Sequence, residues 1–155
     1  LNSFVEAGGV VASWGSSAMS TAELLNLPLE NKAQNLSRNK FFAPGSVVLV
    51  ELDTTHPVNF GMDEKTAVQI RRGPLFVPKA TLGEGPEMVG KYPEYDARLS
   101  GFLLGPEIMQ GAGALLVQNK GKGKVILFSY LPQFRSMTHG TFKQLFNTLF
   151  WASEN

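Results

Sequence analysis

The stretch "GKGKVILFSYLPQFRSMTHGTFKQLFNTLF", Gly121 to Phe150, carries the strongest structural signals in the chain. Together with the preceding "GALLVQN" it predicts a β-hairpin, in which Leu115–Val117 and Val125–Phe128 are the strands. Residues 119–123, "NKGKG", supply the turn. A phosphate-binding loop has to open a helix, whereas this glycine-lysine run joins two strands, so it is a turn and not a phosphate site.

The end of the same stretch predicts an amphipathic helix. Its apolar residues recur at helical spacing and form one stripe: Phe142, Leu145, Phe146, Leu149 and Phe150. This helix is the clearest single element in the sequence.

The beginning of the chain alternates helix and strand signals. Leu1, Phe4 and Val5 have the spacing of an amphipathic helix, two glycines end it, and Val10–Trp14 reads as a buried strand. Gly15 to Ser17 then predict a turn, and Ser20 or Thr21 a cap for a second helix. This order is typical of an α/β protein with a layered parallel sheet.

The middle of the chain contains further strand signals. Ser46–Asp53 is a predicted strand, Thr66–Pro78 supplies one or two more, and the polar loop between them holds a proline and a glycine. Residues 28–45 are predicted to be irregular. The stretch 79–95 is rich in glycine, proline and charge, and we expect it to be a surface excursion.

Composition limits the possible functions. The chain has 155 residues, a net charge of +1, 43% apolar and 17% charged residues. Near-neutral charge gives no argument for nucleic-acid or membrane partners, and no apolar run approaches the ~20 residues of a membrane span. The absence of cysteine excludes disulfides, thiolate nucleophiles and cysteine-ligated zinc.

The loop before the last helix is a candidate ligand site. Arg135, Thr138, His139 and Thr141 precede a helix N-terminus, where free backbone amides favour an anion. The structural alternative, which we favour, is that Thr138 caps the helix and Arg135 pairs with a carboxylate or a carbonyl.

A serine hydrolase is a second possibility. "WGSSAM" resembles a nucleophile elbow, with Ser17 as nucleophile, Asp53 as orienting acid and His56 or His139 as base. Met19 occupies the place where the elbow needs its last glycine, so we favour Ser16 and Ser17 as residues of a turn.

The loop after the Ser46–Asp53 strand is a third candidate. Asp53, His56 and Asn59 leave a strand end, where α/β proteins bind ligands, although a side-chain-stabilised turn explains them as well. The two histidines lack the spacing of metal ligands, so the sequence predicts no metal site.

Several quoted segments together resemble a known family. "FVEAGGVVASW", "LDTTHPVNFGM", "RLSGFLLGPE", "GAGALLV" and the Gly121–Phe150 stretch look like the C-terminal class I glutamine amidotransferase-like domain of bacterial zinc carboxypeptidase-like proteins. The likeness covers nearly the whole chain, and the hairpin, loop and helix at its end are its most specific part.

The resemblance implies a flavodoxin-like sheet whose first strands lie upstream of Leu1. Residues 1–155 would then be a single domain or a domain fragment, the C-terminal part of a longer protein. The catalytic cysteine of a class I amidotransferase is missing, with Ser16 or Ser17 near its place, and the H-x-x-E zinc ligands of a carboxypeptidase are missing too.

The resemblance therefore implies a non-catalytic accessory domain whose parent is a zinc metallocarboxypeptidase. Its expected partners are the peptidase domain of the same polypeptide and, as a further expectation, a second copy in a homodimer, and zinc would be bound only by the peptidase domain. The resemblance favours a periplasmic or secreted location. A serine hydrolase using Ser17 and a small-ligand module at residues 131–141 are the alternatives.

Overall fold

A computed structural model describes residues 1–79 and 85–153 of the chain. Three helices and nine strands are described: α1 (Asn2–Glu6), β1 (Val10–Trp14), α2 (Ser16–Leu24), β2 (Leu29–Asn31), β3 (Ser46–Leu52), β4 (Lys65–Ile70), β5 (Phe76–Pro78), β6 (Glu87–Lys91), β7 (Arg98–Ser100), β8 (Gly113–Lys120), β9 (Gly123–Phe128) and α3 (Phe142–Ser153). The mixed α/β class predicted from the sequence is confirmed.

All nine strands belong to one sheet. Its main path runs β1-β9-β8-β6-β3-β4, while β7 pairs with β3, and β5 pairs with β2 and β8. Only the β1–β9 pair is parallel, and every other described ladder is antiparallel. The predicted parallel sheet is therefore restricted to the edge formed by the first strand and the hairpin's second strand.

The predicted hairpin is confirmed, with a turn of two residues. Lys120 pairs with Gly123, so the chain reverses at Gly121 and Lys122. Gly121 has a φ of 61°, a conformation that glycine adopts without a steric penalty.

Apolar residues on both faces of β8 and β9 create two cores. In β9, Val125 and Leu127 point to the core beneath α1 and α2, whereas Ile126 and Phe128 point to the larger core on the other face. Trp151 of α3 packs against that larger core. The result is a sheet between two helical layers, as expected when side chains on successive strand residues alternate.

Three sequence predictions of secondary structure were wrong. Residues 28–45, predicted to be irregular, contain β2, which pairs with β5. The second helix begins at Ser16 with Gly15 as its N-cap, so Ser16 and Ser17 form its first turn and neither Ser20 nor Thr21 caps it. The stretch 79–95 contains β6, which pairs with β8 and β3 inside the sheet. Residues 80–84 of that stretch lie outside the described residues.

The last helix exists as predicted, and much of its apolar stripe is exposed. Its polar residues Gln144 and Thr148 are buried. On the opposite side Phe146, Leu149 and Phe150 are 60%, 66% and 71% exposed. Three of the five stripe residues therefore face away from the domain, whereas Phe142 and Leu145 are half-buried.

Buried hydrogen bonds explain this orientation. Gln144 accepts from the Tyr130 hydroxyl at 2.7 Å and donates to Asn59 Oδ1 at 2.8 Å, and all three residues are fully buried. Asn59 Nδ2 in turn donates to the carbonyls of Asp53 and Val89. Burial raises the pKa of Tyr130 far above its usual value, so its hydroxyl remains a donor.

Replacing Gln144 by Leu tests this network. The change leaves Tyr130 without its acceptor and Asn59 Oδ1 without its donor, and each orphaned buried group costs about 1–3 kcal/mol. We expect the free energy of unfolding in urea to fall by roughly 2–5 kcal/mol. Gln133→Leu, at an exposed position, is the matched control and should change it little. Equal stability of the two variants would contradict the role of the network.

Candidate functional site

The 131–141 loop uses its hydroxyl groups to hold itself in place. Thr138 Oγ1 donates to the Ala67 carbonyl at 2.8 Å, and Thr141 Oγ1 reaches the carbonyls of Pro132 and Thr138, both at 2.7 Å. These contacts use the hydroxyl protons that an anion would need. Thr138 precedes a short 3₁₀ turn, His139–Thr141, without a side-chain capping bond, so the predicted cap does not form.

Arg135 and His139 of the same loop are exposed and lie against aromatic rings. The Arg135 guanidinium is 5.5 Å from the centre of the Phe134 ring, and His139 is 5.7 Å from that of Phe142. In the described part of the chain Arg135 has no ion pair, so the predicted partner carboxylate is not found.

The loop after β3 is a side-chain-stabilised turn. Asp53 Oδ1 accepts from the amide of Thr55 at 2.9 Å and from its hydroxyl at 2.6 Å, and these bonds lower the pKa of Asp53. His56 caps the 3₁₀ turn Pro57–Asn59 by accepting from the Val58 amide, and its ring packs edge-on against Trp151 at 4.9 Å. Asn59 belongs to the buried network beneath α3.

The proposed triad residues occupy different surroundings. Ser17 lies at a cavity with Trp14, Arg71 and Arg72, whereas His56 packs against Trp151 and His139 against Phe142. No hydrogen bond between Ser17 and a histidine occurs in residues 1–79 and 85–153. Within the same residues no three His, Asp or Glu side chains are grouped as metal ligands.

The cavity beside Ser17 is the largest of the described pockets, at about 500 Å³. It opens at the carboxyl end of β1, where Gly15 leads the chain into α2 with a φ of 59°. The residues around it are Trp14, Ser16, Ser17, Arg71, Arg72 and Leu131. Sequence analysis missed both arginines, although the pair "RR" directly after a strand was the available signal.

The outward side of α3 forms a second surface of interest. We define the α3 face as Phe146, Leu149 and Phe150 together with the neighbouring Phe60, which is 75% exposed. Phe60 and Phe150 line one shallow cavity, and Asn147 Nδ2 donates to the Phe60 carbonyl at 2.9 Å. These residues therefore form a continuous apolar patch.

Comparison with known proteins identifies the fold. No protein-family model matches the chain, and no curated protein is significantly similar to it. A solved cytoplasmic protein from Salmonella typhimurium is similar, with a TM-score of 0.54 and 15% identity over 96% of this chain. A ThuA-like protein from Bacteroides uniformis gives a TM-score of 0.51 and 16% identity over 97% of this chain.

These similarities confirm the flavodoxin-like, class I amidotransferase-like fold predicted from the sequence. The chain spans 57% and 60% of the length of these two proteins. Neither similarity links it to zinc carboxypeptidases. In the described residues no helix has the length and hydrophobicity needed to cross a membrane.

A serine-directed probe tests the surroundings of Ser17. Since Ser17 has no base beside it in the described structure, we expect a fluorophosphonate not to label the folded chain above the level of Ser17→Ala. Intact mass spectrometry measures the labelling. Labelling that disappears in Ser17→Ala would revive the hydrolase hypothesis.

Acidification tests the environment of His56. Burial is the main cause that lowers its pKa, against smaller opposing effects of Glu87 and Asp53. The unfolded chain binds this proton at a pH of about 6.5, and the folded chain binds it only at lower pH. The free energy of unfolding should therefore fall as the pH drops through and below about 6.5, until the folded-state pKa is passed.

His56→Asn keeps a capping side chain but cannot titrate. We expect a smaller difference between the urea stabilities at pH of about 7.5 and 5.5 in this variant than in the parent chain. An unchanged difference would show that another group is responsible.

Proposed function

We propose that this chain is a non-catalytic accessory domain that joins two copies of itself through the α3 face. The observation that carries the proposal is the orientation of α3, which buries Gln144 and Thr148 and exposes Phe146, Leu149 and Phe150. Large contiguous apolar patches on soluble proteins usually mark interaction sites.

The size of the α3 face fits a stable interface. Large side chains bury about 150–250 Å² each, so four that are 60–75% exposed offer roughly 500 Å² of apolar surface. A standard interface buries about 800 Å² per partner, roughly 65% of it apolar at the core, which is also close to 500 Å².

The charge around the face favours a second copy as the occupant. In α3 the only charged residue is Lys143, and its ammonium group is engaged by the Gly61 carbonyl. Two copies related by a twofold axis would therefore bring phenylalanine and leucine side chains together without opposing like charges. Twofold dimers with such isologous contacts are the commonest soluble homo-oligomers.

The sequence resemblance suggests what this association serves. If the parent is a zinc metallocarboxypeptidase, pairing of this domain would dimerise or orient the peptidase domain, where the zinc and the hydrolytic groups would reside. Packing of the α3 face directly on that peptidase domain is the competing arrangement, and the experiment below separates the two.

Charge substitution on the α3 face tests the dimer. We expect the chain to dimerise with rising concentration in sedimentation equilibrium, and Phe146→Glu with Phe150→Glu to raise the dissociation constant at least about hundredfold. Leu24→Glu is the matched control, because Leu24 is 66% exposed but lies in α2, on the other face of the sheet. It should leave dimerisation intact.

A chain that stays monomeric at every concentration would overturn the dimer. If a separately produced peptidase domain then bound the parent chain but not the Phe146→Glu, Phe150→Glu variant, the α3 face would be the binding site for that domain instead. Circular dichroism of each variant shows whether it retains the fold.

A further inference from the structure

Four of the five arginines are connected by two cavities and one aromatic ring. Arg71 and Arg72 follow β4 and line the cavity of about 500 Å³ beside Ser17. Arg72 also lines a second cavity, which contains Arg38. Arg135 and Arg71 lie against the same Phe134 ring, so the four arginines form one series of neighbouring residues.

Acidic groups do not neutralise this series. The ion pairs found in the described residues join Lys79 to Glu30, Lys91 to Glu51 and Arg98 to Asp96, and none includes the four arginines. The described linings of both cavities contain neither aspartate nor glutamate. A net charge of +1 for the whole chain therefore conceals a locally basic region.

Aromatic rings orient the guanidinium groups. Arg71 Cζ lies 5.7 Å from the centre of the Phe134 ring, Arg135 Cζ lies 5.5 Å from it, and Arg38 Cζ lies 5.7 Å from that of Phe42. Stacking of this kind restricts a flexible side chain before a ligand arrives and lowers the entropy lost on binding. The amide of Arg72 is fixed by the Ala43 carbonyl at 3.0 Å.

We propose that the cavity lined by Trp14, Ser16, Ser17, Arg71, Arg72 and Leu131 binds a small multivalent anion that carries phosphate or carboxylate groups. Guanidinium groups match both kinds of group with paired hydrogen bonds. The hydroxyls of Ser16 and Ser17 add donors, and Trp14 and Leu131 add an apolar wall. The volume is within the range of about 300–1,000 Å³ typical of small-molecule sites.

Calorimetric titration at constant ionic strength tests this site, with inorganic pyrophosphate and citrate as probes for the two chemistries. We expect saturable binding of at least one of them, and a dissociation constant raised at least about tenfold in the double variant Arg71→Gln, Arg72→Asn. Asparagine is chosen at position 72 because Arg72 has a φ of 54°, which asparagine tolerates. The stronger probe identifies the class of the natural ligand.

Arg98→Gln is the matched control, since Arg98 pairs with Asp96 and lines neither cavity. It should bind like the parent chain. Absence of saturable binding of both probes, or equal loss of affinity in Arg98→Gln, would overturn the proposal.

Amide chemical shifts of the parent chain provide a second test, which does not depend on whether the variants fold. When the anion that binds in the calorimetric experiment is added to the chain, the amide signals of four residues should shift at the lowest concentrations: Ser16, Ser17, Arg71 and Arg72. Shifts centred elsewhere in the molecule would overturn the site. Because neither arginine belongs to the α3 face, this outcome is independent of the dimerisation experiment.

Discussion

The hydrogen-bonded chain of Tyr130, Gln144 and Asn59 fixes how the last helix meets the sheet. Gln144 is fully buried, and both polar atoms of its side-chain amide have hydrogen-bond partners. These hydrogen bonds offset the free-energy cost of removing the amide from water. Rotating α3 to bury its phenylalanines would expose Gln144 and orphan the Tyr130 hydroxyl and Asn59 Oδ1. Asn147, which donates to the carbonyls of Val58 and Phe60, adds a second attachment on the same side. The apolar α3 face is the consequence.

Sequence periodicity predicts several helices and strands correctly, because short local patterns of apolar and turn residues determine them. The hairpin, the strand Val10–Trp14 and the strand beginning at Ser46 all follow from short apolar runs between turn residues. Periodicity also finds α3 and its apolar stripe, but it does not show that Gln144 and Thr148 are buried. The partners of Gln144 are 14 and 85 residues away, and no local pattern indicates them. Likewise, β6 contains "EMVGK", which is too polar to be recognised as a strand until β8 and β3 flank it.

At the candidate sites, too, the sequence predicts local turns but not contacts between residues that are far apart in the chain. The sequence locates the polar loops, and Asp53 and His56 do form the kind of local turn that their neighbours suggest. It does not reveal that Thr138 bonds to Ala67, 71 residues away, or that Arg71 comes to lie at the cavity of Ser17. Those facts depend on long-range contacts such as the hydrogen bond from the Leu131 amide to the Gln69 carbonyl, which joins the loop after β9 to the end of β4.

The 131–141 loop connects the arginine-lined cavity with α3, and its hydrogen bonds fix its position between them. Leu131 lines the arginine cavity and Phe134 lies against Arg71 and Arg135, while the residue after Thr141 begins α3. Thr138 and Thr141 attach the loop to backbone carbonyls between these two ends. Coupling between distant sites needs an element with two arrangements that both sites bias. Thr138 attaches the loop to Ala67 of β4, and Thr141 attaches the end of the loop to its beginning at Pro132. We therefore expect the proposed anion binding and the proposed self-association to be independent of each other.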